Sequence, residues 1–419
     1  MFTIDSTRSS AFLLTLAAFV YLQVLTIPIH EKFGLLVFLT CSILILIFNK
    51  KRFLLAAKKT LFISYLIGTG YLIAALGSQT TGAIDYFKSF AYTYLVYLAF
   101  ASTTYESKFL AIDMLSKVAY FAVTCMFLSY IYALNNGTPF FVIKNPNGIL
   151  NYFYIGSFSR ENHDGVTRAS WLFDEPGTAS YFLTFIAIAR IGLKRGNKGT
   201  LFIMLLGLTS YSTAHLVSVI LIGLHLIFKY GFLNMRKFFI ILIAVASGLF
   251  FFDFQEQVID SQFTERIDKD KGYVKGNNRY GQVVEYINKV DVAGVIFGYP
   301  ECRLTGNSWT RCGKFTDQSS HIFTPIFSNG LIASMPFYIL ILILFKSFFL
   351  HVKDSSSILY FLIIITQFQR PYFYDNPYFL VSILATMTLI NQDYLYMRIF
   401  KFSTNSLRLN FIKGDGKAV

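Results

Sequence analysis

The sequence predicts an all-α, polytopic membrane protein with about twelve transmembrane helices and two long external loops. Three observations predict it. The 419 residues are 54% hydrophobic and only 14% charged, against roughly 25% charged in a soluble domain. Apolar runs of roughly 15–22 residues recur from end to end, near the ~20 residues a helix needs to cross ~30 Å of hydrocarbon. The runs lack the period-2 alternation of a barrel, and lipid admits only helices or closed barrels, because every backbone group must pair internally.

The expected spans are Ala11–Ile29, Phe33–Phe48, Thr60–Gly77, Ser89–Ala101, Val118–Leu134 and Thr178–Leu193. Further spans follow at Thr200–Thr209, His215–Phe228, Lys237–Phe252, Ile322–Phe345, Ile358–Thr366 and Tyr378–Ile390. Met1–Ser10 is too polar, and Ala11–Ile29 too long, for a cleaved signal peptide. Lys/Arg-rich short loops mark the cytoplasmic side. The loops "NKKRFLLAAKK" (Asn49–Lys59), "KRGNK" (Lys194–Lys198) and "NMRK" (Asn234–Lys237), and the tail from Arg398, therefore put both termini inside. The net charge of +14 then reflects topology and calls for no nucleic-acid partner; no nucleic-acid motif is found.

Thr200–Phe228 reads in two ways. One long tilted helix would invert everything after it and send the basic tail outside. A hairpin turning at "SYSTAH" (Ser210–His215) keeps the charge rule. Each arm is then shorter than the bilayer, so the polar turn lies below the surface, where protein must bury it or it must line a wet cavity.

The chain forms a single transmembrane domain over residues 1–419, with external loops at about 135–175 and 253–320. In the second loop, Phe254, Val258, Ile259, Phe263 and Ile267 share one helical face, and Val283, Val284, Ile287 and Val290 share another. Amphipathic helices of this kind lie on a membrane surface or cap a cavity. Cys41 and Cys125 fall in spans, as small buried residues. Cys302 and Cys312 fall together in "ECRLTGNSWTRC", and an even pair in an oxidising compartment points to a disulfide.

Charge gathers in a few places. "TRASWLFDEPGTASYF" (Thr167–Phe182) stands at the outer end of the sixth span. Pro176 suits a first helical position, with Asp174 or Glu175 as its cap. One reading of Glu175 is a carboxylate that stabilises a helix N-terminus. In another, the positive end of that helix and Arg168 form an anion site at the membrane boundary, the depth of a lipid carrier's phosphates. Arg279, in "GNNRYGQ", is either a snorkelling arginine or a second cation. His321, where the loop re-enters the membrane, is either solvated or a general base. Arg370, Tyr372 and Asp375, in "QRPYFYDNP", offer the aromatic face and charges that line sugar sites. Arg160, His163 and His215 are further candidate substrate contacts; neither histidine has a second ligand at metal spacing. "DKD" (Asp268–Asp270) alternates with lysine and reads as a solvated turn, so no metal is expected. A Walker loop, a dinucleotide fingerprint, a zincin helix and a G-x-S-x-G elbow are all absent from the sequence.

Three elements in order resemble the O-antigen polymerase and ligase superfamily of the bacterial inner membrane. They are Arg168 with Glu175–Pro176–Gly177, Arg279 with Phe297–Gly298–Tyr299, and Ser320–His321 with Gly330–Leu331–Ile332. Trp171 stands where that family often has glycine; Pro300, Ile322 and Ala333 are further departures. The resemblance implies a GT-C-like fold and a metal-independent, cofactor-free glycosyltransferase acting at the periplasmic face. Its substrates would be polyprenyl-diphosphate-linked oligosaccharide repeat units, with a chain-length regulator protein as a partner. Arg168 and Arg279 would hold the departing diphosphate, and His321, or Glu175, would serve as base. A ligase moving finished polymer onto lipid A core shares these motifs. From another class, a lipid-linked oligosaccharide flippase would favour structural repeats and mid-span charges.

One expectation follows for the cysteines. Without reductant, neither Cys302 nor Cys312 should react with a membrane-impermeant maleimide in folded protein, and both should react after reduction. Two reactive thiols before reduction would dismiss the bond.

Overall fold

The computed structural model describes residues 6–21, 28–55, 94–95, 98–135, 137–144, 150–161, 167–173, 175–231, 267–268, 273–274, 279–298, 322–369 and 376–390. These are mostly helical. Helices α1 (Ser6–Tyr21) and α2 (Pro28–Phe48) form an antiparallel pair. Just beyond α2, the Asn49 side chain donates to Ser10 Oγ at 2.8 Å, tying the end of one helix to the start of the other. Helix α3 (Tyr105–Leu134) is the longest, at 30 residues. Thr104 caps it by accepting from the Ser107 amide at 2.9 Å, and Glu106 lies in its first turn, where the helix dipole favours negative charge.

Helix α4 (Pro176–Gly192) is the centre of the bundle. Almost every residue along it is buried, the pattern of a helix covered on all sides. It packs against α3, α5 (Asn197–Leu206), α6 (Thr213–Tyr230) and α11 (Asn376–Ile390). Ion and ring contacts fix the directions. Arg195, just past α4, pairs with Asp113 near the start of α3, its Nε donating to Oδ1 at 3.0 Å. The Arg190 guanidinium lies over the Tyr120 ring at 5.0 Å. Helices α3 and α4 therefore run antiparallel. Tyr181 hydrogen-bonds Ser382 of α11, and Gly192 packs against Thr388, so α4 and α11 run parallel.

The segment Thr200–Phe228 is a hairpin. Helix α5 tightens into a 3₁₀ turn at Gly207–Ser210, Tyr211 takes a left-handed conformation (φ 45°), and α6 starts after Ser212. His215 Nε2 donates to Met204 O at 2.9 Å, a contact two collinear helices could not make across that separation. Near its far end, His225 Nδ1 donates to Ser355 O at 2.7 Å, beside the start of α10 (Ser356–Gln369).

Helix α9 (Thr324–Leu350) is interrupted at Gly330, whose φ of 78° is open to glycine but strained for other residues. Its first turns pack against α8 (Val292–Phe297), and Phe327 sits against Tyr286 of α7 (Arg279–Lys289). Two helices among the described residues, Tyr105–Leu134 and Thr213–Tyr230, are long and apolar enough to cross a membrane.

Two expectations need correction. The chain is not all-α: the first loop folds into a four-stranded antiparallel sheet, in the order β1 (Phe141–Lys144), β2 (Leu150–Phe153), β3 (Phe158–Glu161) and β4 (Thr167–Trp171). The segments are short and rich in aromatic and β-branched residues, separated by Asn147-Gly148 and Asp164-Gly165, which are hairpin dipeptides. A search for ~20-residue apolar runs passes over strands of this length. Second, Ile267 is not on a helical face: Ile267–Asp268 (β5) pairs with Tyr273–Val274 (β6). The segment 254–266 and the expected spans Thr60–Gly77 and Lys237–Phe252 lie outside the described residues.

The hairpin closes tightly. A Cβ on Gly207 would run into the His215 ring and Leu183, whereas one on Gly196 meets open space. Overpacking a core costs about 1–3 kcal/mol. Gly207→Val should lower the thermal unfolding midpoint in detergent, and Gly196→Ser should leave it unchanged; equal midpoints would show that the hairpin is loosely packed.

Candidate functional site

Strand β4 carries Arg168 to the turn of the α5–α6 hairpin. Its Nε donates to Ser210 O at 3.3 Å, and the side chain is half-buried. Directly across the β3–β4 ladder stands Arg160. Opposed residues of an antiparallel pair project to the same face with Cβ atoms about 5 Å apart, and like charges in that relation repel. The sheet thus sets two arginines side by side.

The chain leaves β4 through a strained residue. Trp171 adopts φ 53°, in the left-handed region that favours glycine. Packing and hydrogen bonding hold it there: it is buried, its amide donates to Ser157 Oγ at 2.9 Å, and its ring meets Phe121 and Phe173 edge-on. Four residues on, Glu175 occupies the N-cap of α4, with extended backbone and Pro176 following. Its carbonyl accepts from the Thr178 and Ala179 amides. Its carboxylate makes no capping bond to the backbone; Oε1 accepts from the Thr178 hydroxyl at 3.5 Å. Glu175 is therefore placed as a cap by position, while its side chain turns to the first turn of α4.

Helices α4 and α6 begin at the same end of the bundle. Between their first turns and the last turns of α10 lies a cavity of about 370 Å³. Gly177, Ser180, Tyr181 and Thr184 line it from α4, Thr213, Ala214, Val217 and Ser218 from α6, and Leu362, Ile365, Thr366 and Phe368 from α10. Two helix dipoles thus direct their positive ends toward one mouth. Ser212, the N-cap of α6, makes no side-chain cap bond. The lining mixes apolar groups with hydroxyls, and the buried Thr184 Oγ1 has no hydrogen-bond partner among the described residues. Gln367 Nε2 donates to Tyr181 Oη at 2.9 Å, and Tyr181 in turn bonds Ser382, so one polar chain ties α10, α4 and α11 beside the cavity.

The sequence-derived candidates separate accordingly. Arg160 and Arg168 come together across the β3–β4 ladder, and Glu175, four residues after β4, is the N-cap of α4. His215 is buried within the hairpin, bonded to Met204 O and absent from the cavity lining, a placement that serves the turn. Arg279 is the first residue of α7. His163, Cys302, Cys312, His321, Arg370, Tyr372 and Asp375 lie outside the described residues. Among the described residues no group of three His, Cys, Asp or Glu side chains is placed to hold a metal. Sequence reasoning missed the Arg160–Arg168 opposition, because the sheet was missed. It also missed Tyr181 and Gln367; an amide inside an apolar run was the available signal for the latter.

The chain matches no family model, no curated protein and no solved structure.

The turn at the mouth depends on Tyr211, whose hydroxyl bonds Tyr130 of α3 in a buried pair. Tyr211→Phe removes the partner of the Tyr130 hydroxyl, and an unpaired buried polar group costs about 1–3 kcal/mol. The single variant should unfold at a lower temperature, and adding Tyr130→Phe should restore much of the loss. Strict additivity of the two would show that they are not coupled.

Proposed function

We propose that the protein is an inner-membrane glycan polymerase, with about twelve spans and both termini cytoplasmic. It joins polyprenyl-diphosphate-linked oligosaccharide repeat units at the periplasmic face. The observation that carries this reading is the cross-strand pair Arg160–Arg168, with Arg168 bonded at the turn before α6, whose first turn shares a cavity with that of α4. Two like charges held on one face, next to two positive helix ends, suit a multiply charged anion. A lipid carrier's tail stays in the bilayer, so its diphosphate reaches only residues at the membrane boundary. The ordered motifs around Arg168, Arg279 and His321 point to the same chemistry through their resemblance to O-antigen polymerases.

On this reading a hydroxyl of the acceptor sugar attacks the anomeric carbon of the donor. The new glycosidic C–O bond forms as the bond to the diphosphate breaks. The polyprenyl diphosphate departs with the bonding pair, and the hydroxyl proton passes to His321 or Glu175. Arg160, Arg168 and Arg279 stabilise the charge that develops on the leaving group, which fixed cations in a water-poor site do at low reorganisation cost. Released polymer length would be set with a chain-length regulator protein.

Losing one charged partner of a diphosphate should remove about 1.5–3 kcal/mol, or roughly ten- to a hundredfold in transfer rate if it acts in the transition state. Losing a general base should cost about 10²–10⁴. In a deletion strain, Arg160→Ala, Arg168→Ala, Arg279→Ala and His321→Ala should each shorten or abolish the polysaccharide ladder at normal protein levels. A retained single repeat on lipid A core marks a polymerase. Loss of every repeat would mark a ligase or flippase, and unchanged ladders in all four variants would sink the site.

A further inference from the structure

The four-stranded sheet has a function in placing the site, and we infer that its β1–β2 edge is a membrane-surface anchor, seated on lipid at the headgroup boundary. The inference rests on α3 crossing the bilayer and does not depend on the chemistry proposed above. Helix α3 carries Glu106, Lys108, Asp113 and Lys117 in its first half and no charge from Val118 to Leu134. At ~1.5 Å per residue that uncharged part is about 25 Å long, close to the hydrocarbon thickness. Its lipid boundary therefore falls at the Leu134 end. Phe121, Phe127, Leu128, Ile131 and Leu134 are exposed along it, the surface a spanning helix offers to acyl chains.

That apolar surface does not stop with the helix. Tyr132, in the last turn of α3, stacks on Phe140, with ring centroids 6.1 Å apart and planes at 25°. Phe140 is 63% exposed, Phe141 46%, Val142 45% and Leu150 44%. Successive strand residues face opposite sides of a sheet, so Val142, Lys144 and, across the ladder, Leu150 share one face, while Phe141 lies on the other, stacked on Phe153 of β2 at 4.5 Å. An edge strand with this much exposed apolar surface is an aggregation hazard in water unless something covers it. Lys144, at the end of β1, is exposed and supplies a cation at the rim, the arrangement by which a basic residue reaches lipid phosphates. Aromatic side chains concentrate at the headgroup level of membrane proteins because their rings tolerate both phases. A headgroup layer also satisfies the unpaired backbone groups of an edge strand, which hydrocarbon would not. The occupant that fits is the lipid surface itself, since the patch continues a lipid-facing helix. A protein partner would have to end its contact at that seam. The opposite edge of the sheet is β4, so the anchor fixes the depth of Arg168 relative to the bilayer.

The test reads depth and not polymer length. The full chain would be reconstituted in phosphatidylethanolamine–phosphatidylglycerol vesicles, with a nitroxide on Val142→Cys or on Leu150→Cys, and the spectrum corrected by that of the unmodified chain. Both positions should collide more with dissolved oxygen than with an aqueous nickel chelate. Gly196→Cys, in the open loop at the other end of the bundle, should do the reverse. Chelate-dominated collisions at both sheet positions would place the edge in water and overturn the anchor. Low access to both quenchers would mean that a second copy or another protein covers it, and would overturn it equally.

Discussion

The chain reverses direction at Gly207–Ser212, inside an apolar bundle, and most of the site's geometry descends from how that reversal is tolerated. A turn exposes backbone groups that helices would have paired, and a low-dielectric interior leaves them no water. Three side chains serve it, two of them from distant parts of the sequence. His215 donates to Met204 O, Arg168 reaches Ser210 O, and Tyr130 meets Tyr211. Each contact has a consequence elsewhere. The first packs α5 on α6, the second draws the sheet onto the helices, and the third joins α3 to the turn.

Because the hairpin is closed in this way, α6 starts where α4 starts. Two helix N-termini therefore share one end of the bundle, with α10 completing a cavity between them. Neither N-cap side chain bonds to a backbone amide there. Positive potential accumulates at that mouth from peptide dipoles alone, before any side chain is counted. The sheet adds Arg168 and, across the ladder, Arg160. An anion bound there would meet both guanidinium groups and two helix N-termini, which is the physical content of the proposed diphosphate site.

Trp171 shows how the junction is held. A left-handed tryptophan costs roughly 1–2 kcal/mol relative to ordinary backbone, and it persists because its ring is buried against Phe121 and Phe173. The bend it makes takes the chain from the end of β4 toward Glu175 and the first turn of α4. Backbone conformation, more than side-chain chemistry, thus sets the path from Arg168 on β4 to Glu175 at the start of α4.

Composition and run length by themselves determined that the chain is mostly helical and apolar and that Pro176 opens a helix, whereas α6, expected to be shorter than the bilayer, runs over Thr213–Tyr230 and is long enough to cross it. These follow from local rules: helix length, capping and the missing proline amide act within a few residues. The charge pattern also favoured a turn at "SYSTAH", where the hairpin is found. Only the tertiary structure decided that Asn135–Glu175 holds a sheet: its composition and hairpin dipeptides were local hints, but strand pairing is a relation between segments that run length does not register. It also decided that Arg160 faces Arg168, that His215 serves a buried turn, and that Gln367, Tyr181 and Ser382 form one chain. Each of these joins residues on separate elements, and periodicity along a sequence carries no information about which distant face a side chain will meet.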